Sequence, residues 1–389
     1  MTPSLSATLN ISRWLAAFLV VASHTRHLVL VDLNDVTNKT LFCKVLYFAT
    51  GLGHESVVIF FVVSGFLVGG VTLDRWREEG PKVTSFVLSR VSRIYTVLVP
   101  ALIVGLGLDF VGLHYLNASE LYTNSAKYHT DSLNDVISAG INLPVFAGNL
   151  FMLQGILTGT LGSNNPLWSL SYEWWYYCLF ALIGIAIPGN GQKRILCGLA
   201  VLAISVFLPG KILLWGLIWC LGVAAHAWHK SNAWRPNAVA GLLLFVLAMI
   251  VSRLSHNVDN VANHEPMYQE FLRDFILGIA YTVGLVGAGG MKINIPLSRT
   301  HERLAAFSYT TYLCHFPMML FLVAFAYQVP GLQFRLQPGL GGLFYYVLLI
   351  AVVCAYCLVF SLLTERHTGY VRQKLQEYFS PLAAVARQG

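Results

Sequence analysis

Apolar stretches of roughly 16 to 23 residues, separated by short polar segments, recur from residue 11 to residue 363. A bilayer core about 30 Å thick is crossed by ~20 helical residues, so the pattern predicts ten spans. They fall at 11–31, 57–73, 94–113, 167–187, 194–209, 211–228, 237–254, 271–289, 305–327 and 341–363. Pro209-Gly210-Lys211 reads as the turn between the fifth and sixth spans. The longest connection is 114–166, and within it LPVFAGNLFMLQGIL is apolar but short for a span, which predicts a re-entrant or interfacial segment. Neither an internal repeat nor a heptad run is visible.

Composition sharpens this picture. Of 389 residues, 56% are hydrophobic and 11% charged, against about 25% charged in soluble domains. The fold class expected is an all-α polytopic membrane protein of about ten transmembrane helices. The net charge of +7 reads through topology rather than as a nucleic-acid footprint. With the N-terminus inside, most Lys and Arg fall on cytoplasmic segments, which places both termini in the cytoplasm. A single transmembrane domain over 1–389 is expected, with a motif-bearing core at 10–370 and a short tail at 371–389. Of the seven cysteines, six lie in apolar segments, so a disulfide framework is not expected. No Lys or Arg precedes Arg13, which argues for a retained first helix over a cleaved leader.

Ionisable side chains inside apolar spans are costly and call for a partner or a cavity. Arg13 and His24 share the first span. Eleven helical positions turn through ~1100° and rise ~16.5 Å, so both groups occupy one face, Arg13 near the inner surface and His24 deep. A neutral imidazole there either hydrogen-bonds a neighbouring helix or takes a proton from a hydroxyl. In FFVVSGFLVGG, Ser64-Gly65 and Gly69-Gly70 allow close helix approach or form a narrow channel wall. Arg90 and Arg93, one turn apart in LSRVSRIYTVLVP, suit either positive-inside anchoring or bidentate binding of phosphates. In NPLWSLSYEWWYYCLF, Trp168, Tyr172 and their neighbours read as an interfacial aromatic belt or as a sugar-stacking surface, with Glu173 accepting hydroxyl hydrogen bonds. His315, in SYTTYLCHFP, and Glu365, in LLTERH, complete the set. Glu365 is a candidate to neutralise Arg90 or Arg93.

Taken in this order, the segments resemble the membrane acyltransferase-3 family. Arg13, ten residues, then His24 is similar to its arginine–histidine motif, and FFVVSGFL to its second-helix signature. Arg90-Val91-Ser92-Arg93 with Ile94-Tyr95 resembles its paired-arginine motif. PLWSLSYEWWYY, SYTTYLCHFP and LLTERH are similar to its tryptophan–serine–glutamate, tyrosine–histidine–proline and closing glutamate segments. Thr96 and His367 stand where many members have proline, and His54-Glu55-Ser56-Val57 departs from the family's usual lead-in to the second helix.

The resemblance implies transfer of an acyl group, most often acetyl from cytoplasmic acetyl-CoA, to a hydroxyl of a glycan or other small acceptor at the inner membrane. Arg13, Arg90 and Arg93 would hold the nucleotide phosphates, with Ser64 on the donor path. His24 would act as general base or as an acyl carrier, with Glu173 orienting the acceptor or the imidazole. Trp168, Tyr172 and His315 would contact the acceptor. No metal is expected, and oligomerisation is left open. Some members carry an extracytoplasmic hydrolase-like domain that completes the transfer; in this chain such a relay would need a separate protein. A surface glycan such as O-antigen or exopolysaccharide is the first acceptor class and an antibiotic-like small molecule the second. The competing classes are a proton-coupled transporter using Arg13, His24 and Glu173, and a scaffold without catalysis. The transporter reading lacks paired helix breaks in corresponding halves.

Overall fold

The computed structural model describes residues 1–125, 133, 137–231, 234–255, 266–291, 295–329 and 335–385, with side chains to 379. It is all-α, 81% helical, with no strand among the described residues. Eight helical stretches there are long and apolar enough to cross a bilayer. The chain is an all-α polytopic membrane protein. The two further expected spans are also helical, as Trp168–Ala186 and Gly191–Phe207. Of residues 371–389, expected as a short tail, 371–385 continue a helix that runs Thr368–Val385 and the remainder lies outside the described residues.

The chain divides into two compact units, each built from three chain segments. The first holds Met1–Ser23, Leu41–Pro81 and Cys178–Ser308. It contains the start of α1 (Pro3–Val29), then α2 (Leu41–Ala49), α3 (Gly53–Ser64) and α4 (Val71–Glu79). After the closing part of α7 (Trp168–Ala186) come α8 (Gly191–Phe207), α9 (Gly210–Lys230), α10 (Ala238–Ser255), α11 (Met267–Gly289) and α12 (Ser298–Ala306). The link from α8 to α9 is only Leu208-Pro209, as the turn residues predict, and Cys197 is the one buried residue of α8.

Between α3 and α4 the chain forms a π-helix, Gly65–Gly70. Its glycines have a packing reason. A methyl group at Gly65 would meet the backbone carbonyl of Trp219, and one at Gly222 would meet the backbone of Val62 and Phe66. The π-helix and α9 therefore meet main chain to main chain, as small residues permit in membranes. The Trp219 indole N–H donates to the Ser64 hydroxyl at 3.2 Å. Of the two roles open for Ser64-Gly65, close helix approach is the one this unit displays.

The second unit holds His24–Thr40, Lys82–Tyr177 and Tyr309–Gly389. It contains the end of α1, all of α5 (Val83–Tyr115), α6 (Leu143–Leu150), the start of α7, α13 (Ser308–Ala326), α14 (Leu340–Leu363) and α15 (Thr368–Val385). Here the connection before α7 is not a solvated loop. Tyr95 in α5 donates to the Leu150 carbonyl at 2.9 Å, while Asp109 in the same helix accepts from the Ser163 amide at 2.8 Å and its hydroxyl at 2.7 Å. Residues 143–164 thus lie along the middle of a 33-residue candidate span. Irregular backbone at membrane depth is tolerated only when protein buries and pairs it. Asn149 meets that demand, donating to the Val145 and Gly159 carbonyls and accepting from the Leu161 amide. Of the two sequence alternatives, the re-entrant one accounts for this burial.

Candidate active site

Seven of the nine candidate residues belong to the second unit: His24, Arg90, Arg93, Trp168, Tyr172, Glu173 and His315. Arg13 and Ser64 belong to the first. Arg13 sits eleven residues before His24 on the same continuous helix α1.

Within the second unit α5, α7, α13 and the end of α1 line up their polar side chains, joined by Glu365 from the turn after α14. At one end, Arg93 pairs with Glu365 at 2.5 Å and lies over the Tyr309 ring at 5.2 Å. The Glu365 carboxylate also accepts from the Thr310 amide at 3.1 Å and hydroxyl at 2.6 Å. It therefore satisfies an otherwise orphaned N–H in the first turn of α13. Arg90 is arranged differently. It donates to the Ser89 hydroxyl at 3.0 Å and stacks over Tyr177 at 5.9 Å, while its buried Nε has no hydrogen-bond partner among the described residues. The Arg93 guanidinium is engaged by Glu365 but remains 30% exposed, and the Arg90 guanidinium has more capacity left for an anion.

The Tyr177 hydroxyl donates to Glu173 at 2.5 Å, one helical turn earlier in α7. A further turn back, Ser169 shares a 2.6 Å hydroxyl–hydroxyl bond with Tyr312 of α13. Positions 169, 173 and 177 follow the i, i+4, i+8 spacing of one helix face, and 309, 312 and 315 the i, i+3, i+6 spacing of another. The Tyr312 ring lies 6.3 Å from the His315 ring, and His315 lies 5.4 Å from His24, their planes tilted by 30°. Phe316 meets His24 edge-on at 5.0 Å. The result is a continuous line of groups from the two arginines to a pair of imidazoles.

Trp168 and Tyr172 pack against each other at 5.1 Å, and Tyr172, Tyr176 and Tyr177 are buried. Trp175 donates to the Met152 carbonyl at 3.0 Å. These rings pack inward on the re-entrant segment, which is not the arrangement of an exposed interfacial belt.

Proline fixes the turn that carries His315. Pro317 has no N–H, so the Leu313 carbonyl four residues earlier loses its helical donor. The side-chain amide of Asn164, in the re-entrant segment, donates to that carbonyl at 2.9 Å. Asn164, Ser169, Tyr309 and Tyr312 were not singled out from the sequence, and Tyr177 only as one of the aromatic run. The interruption of α13 by proline was the usable signal for Asn164, because a freed carbonyl inside a span requires a donor from elsewhere.

The first unit has its own cluster of charged groups around the buried Asp274. His54 donates to Asp274 at 2.8 Å, Trp215 donates to the same carboxylate at 3.1 Å, and Lys211 pairs with Glu270 at 2.8 Å. Ligand atoms of His54, Glu270 and Asp274 lie within 4.8 Å of one another, a spacing that a metal ion can bridge. Both carboxylates are already matched by these N–H donors, so the cluster is satisfied without one.

A family model described as an acyltransferase domain matches residues 6–362. A Haemophilus influenzae protein, described only as uncharacterized, is 26% identical over 211 residues, covering 52% of this chain and 80% of that protein. No solved structure matches.

Proposed function

The chain belongs to the membrane acyltransferase-3 family, and on that premise we propose that it moves an acetyl group from cytoplasmic acetyl-CoA to a hydroxyl of a cell-surface glycan at the inner membrane. The observation that carries this reading is the line of side chains in the second unit, with arginines at one end and paired imidazoles at the other.

Arg90 receives the phosphates of the donor, since its Nε has no hydrogen-bond partner among the described residues. Arg93, paired with Glu365 and with 30% of its side chain exposed, keeps an edge for the same anion. The thioester arrives beside His24, which removes the proton from the acceptor hydroxyl. Glu173 orients the acceptor, with the half-buried Trp168, backed by the buried Tyr172, offering a ring face to the apolar side of a sugar. Both termini face the cytoplasm in this arrangement.

The test is release of CoA thiol from acetyl-CoA by the purified protein, stimulated by a lipid-linked glycan extract of host membranes. Replacing Arg90 with alanine is expected to raise KM for acetyl-CoA by ~10-fold or more, the loss of one charge-assisted hydrogen bond, with kcat nearly unchanged. An unchanged KM would reduce Arg90 to a topology anchor. Absence of thiol release by the wild type, with uptake of an intact solute instead, would favour a transporter.

A further inference from the structure

In the first unit, the ends of α4 and α9 that close at Glu79 and Lys230 share one cavity. Asp74 and Arg77 line it from α4, and His226 and Lys230, one turn apart, from α9. Its volume is about 80 Å³, room for several water molecules or for one phosphate group. His226 is the unusual member. It is only 7% exposed, and neither ring nitrogen has a hydrogen-bond partner among the described residues. An imidazole in either charge state carries at least one N–H, and a buried donor left unmet is costly. Asp74 does not meet it. The carboxylate oxygen is 3.6 Å from Nε2, too far for a hydrogen bond, and pairs instead with the Lys230 ammonium at 2.7 Å. The ring is also held in place: Phe66 packs on it edge-on at 5.0 Å, and a methyl group at Gly70 would meet its Cβ and Cγ. Positive-inside anchoring accounts for Arg77 and Lys230. It does not account for a buried histidine beside them with no partner.

The donor set defines the ligand chemistry. Lys230 gives one N–H to Asp74 and keeps two, the exposed Arg77 offers a planar fork, and His226 offers an N–H. All three donate, so the ligand must bring acceptor oxygens and negative charge, as a phosphate does. A metal ion would face two cations instead. We propose that this cavity binds a phosphate group, carried by an anionic lipid of the inner leaflet. Leu73 and Val223 form apolar wall on two membrane-crossing stretches, where a lipid's chains run. In the topology expected from the basic residues, this end of both helices meets the cytoplasmic leaflet, where anionic headgroups sit. None of these residues belongs to the line of side chains in the second unit, so the site stands apart from the reading of the acyl transfer.

The experiment measures binding of radiolabelled dioctanoyl-phosphatidylglycerol to the full chain, purified and stripped of lipid in an uncharged detergent. Wild type is compared with Arg77→Gln, His226→Phe and Arg194→Gln; the last removes the same charge from a residue that does not line the cavity. Arg77→Gln and His226→Phe should each weaken binding by ~10-fold, the loss of one charge-assisted hydrogen bond, and Arg194→Gln should leave it unchanged. His226→Phe keeps a ring in place and removes both nitrogens, so its thermal midpoint without lipid should stay level or rise, where a histidine needed for folding would lower it. Arg77→Gln lies at an exposed position and keeps the test decisive if the phenylalanine variant fails to fold. Unlabelled dioctanoylglycerol, which lacks the phosphate, should not compete. Inorganic phosphate and CoA are the soluble competitors: no displacement by either assigns the cavity to a lipid headgroup. Displacement that is lost in the two cavity variants keeps the phosphate site and assigns it to a soluble ligand. Binding unchanged in both cavity variants, an equal loss in Arg194→Gln, or competition by dioctanoylglycerol would overturn the site.

Discussion

Replacing His24 with alanine should reduce acetyl transfer by ~10²- to 10⁴-fold at saturating acetyl-CoA, the range that a positioned general base supplies. The argument starts from cost. A histidine in the middle of an apolar span is expensive unless something uses it, and His24 lies in ring contact with His315 and Phe316. Alanine removes the only group on that turn of α1 able to take the acceptor proton. It leaves the Arg90 and Arg93 end untouched, so KM for acetyl-CoA should stay within about twofold, as for a loss confined to the transition state. Retention of thermal stability in detergent separates this outcome from unfolding. Activity within tenfold of wild type would remove His24 from the chemistry.

The second large effect is on stability. Glu365 is 4% exposed at its side chain and holds three groups together: the Arg93 guanidinium, the Thr310 amide and the Thr310 hydroxyl. Glu365→Ala leaves Arg93 without its counter-charge and the first turn of α13 without a cap. Breaking a buried ion pair costs roughly 3–5 kcal/mol. Arg93 keeps 30% exposure, so water recovers part of its solvation and about 3 kcal/mol is expected. The thermal midpoint in detergent should fall clearly for Glu365→Ala and for Arg93→Ala, and far less for Arg90→Ala. In the double variant the two losses should not add, because each alone strands the other's partner. Strict additivity would mean that the pair is not coupled.

The eight helical stretches able to cross a bilayer were legible in the sequence because each is a long apolar run, a signal that needs no partner. The pairing of Glu365 with an arginine was legible as well, since a carboxylate closing an apolar span must find a cation. The rest depends on contacts between distant segments. Nothing local marks Asn164 as the donor for a carbonyl in α13, 149 residues later. Residues 143–157 read from the sequence as either re-entrant or interfacial, and the choice rests on the pairing of Leu150 and Ser163 along α5. The aromatic run from Trp168 to Tyr177 fits an interfacial belt by composition, and only its inward packing on Met152 and the Ser169–Tyr312 bond decides otherwise.

The central claim is that one protein takes its acyl group from one side of the membrane and delivers it to a hydroxyl reached from the other. Sealed inside-out vesicles carrying the protein test this most directly, with radiolabelled acetyl-CoA supplied outside and the lipid-linked glycan enclosed within. The account predicts label on the enclosed glycan in ester linkage, free CoA in the medium, and neither with His24→Ala. Label that stays in the medium, or that enters the vesicles as intact acetyl-CoA, would contradict it.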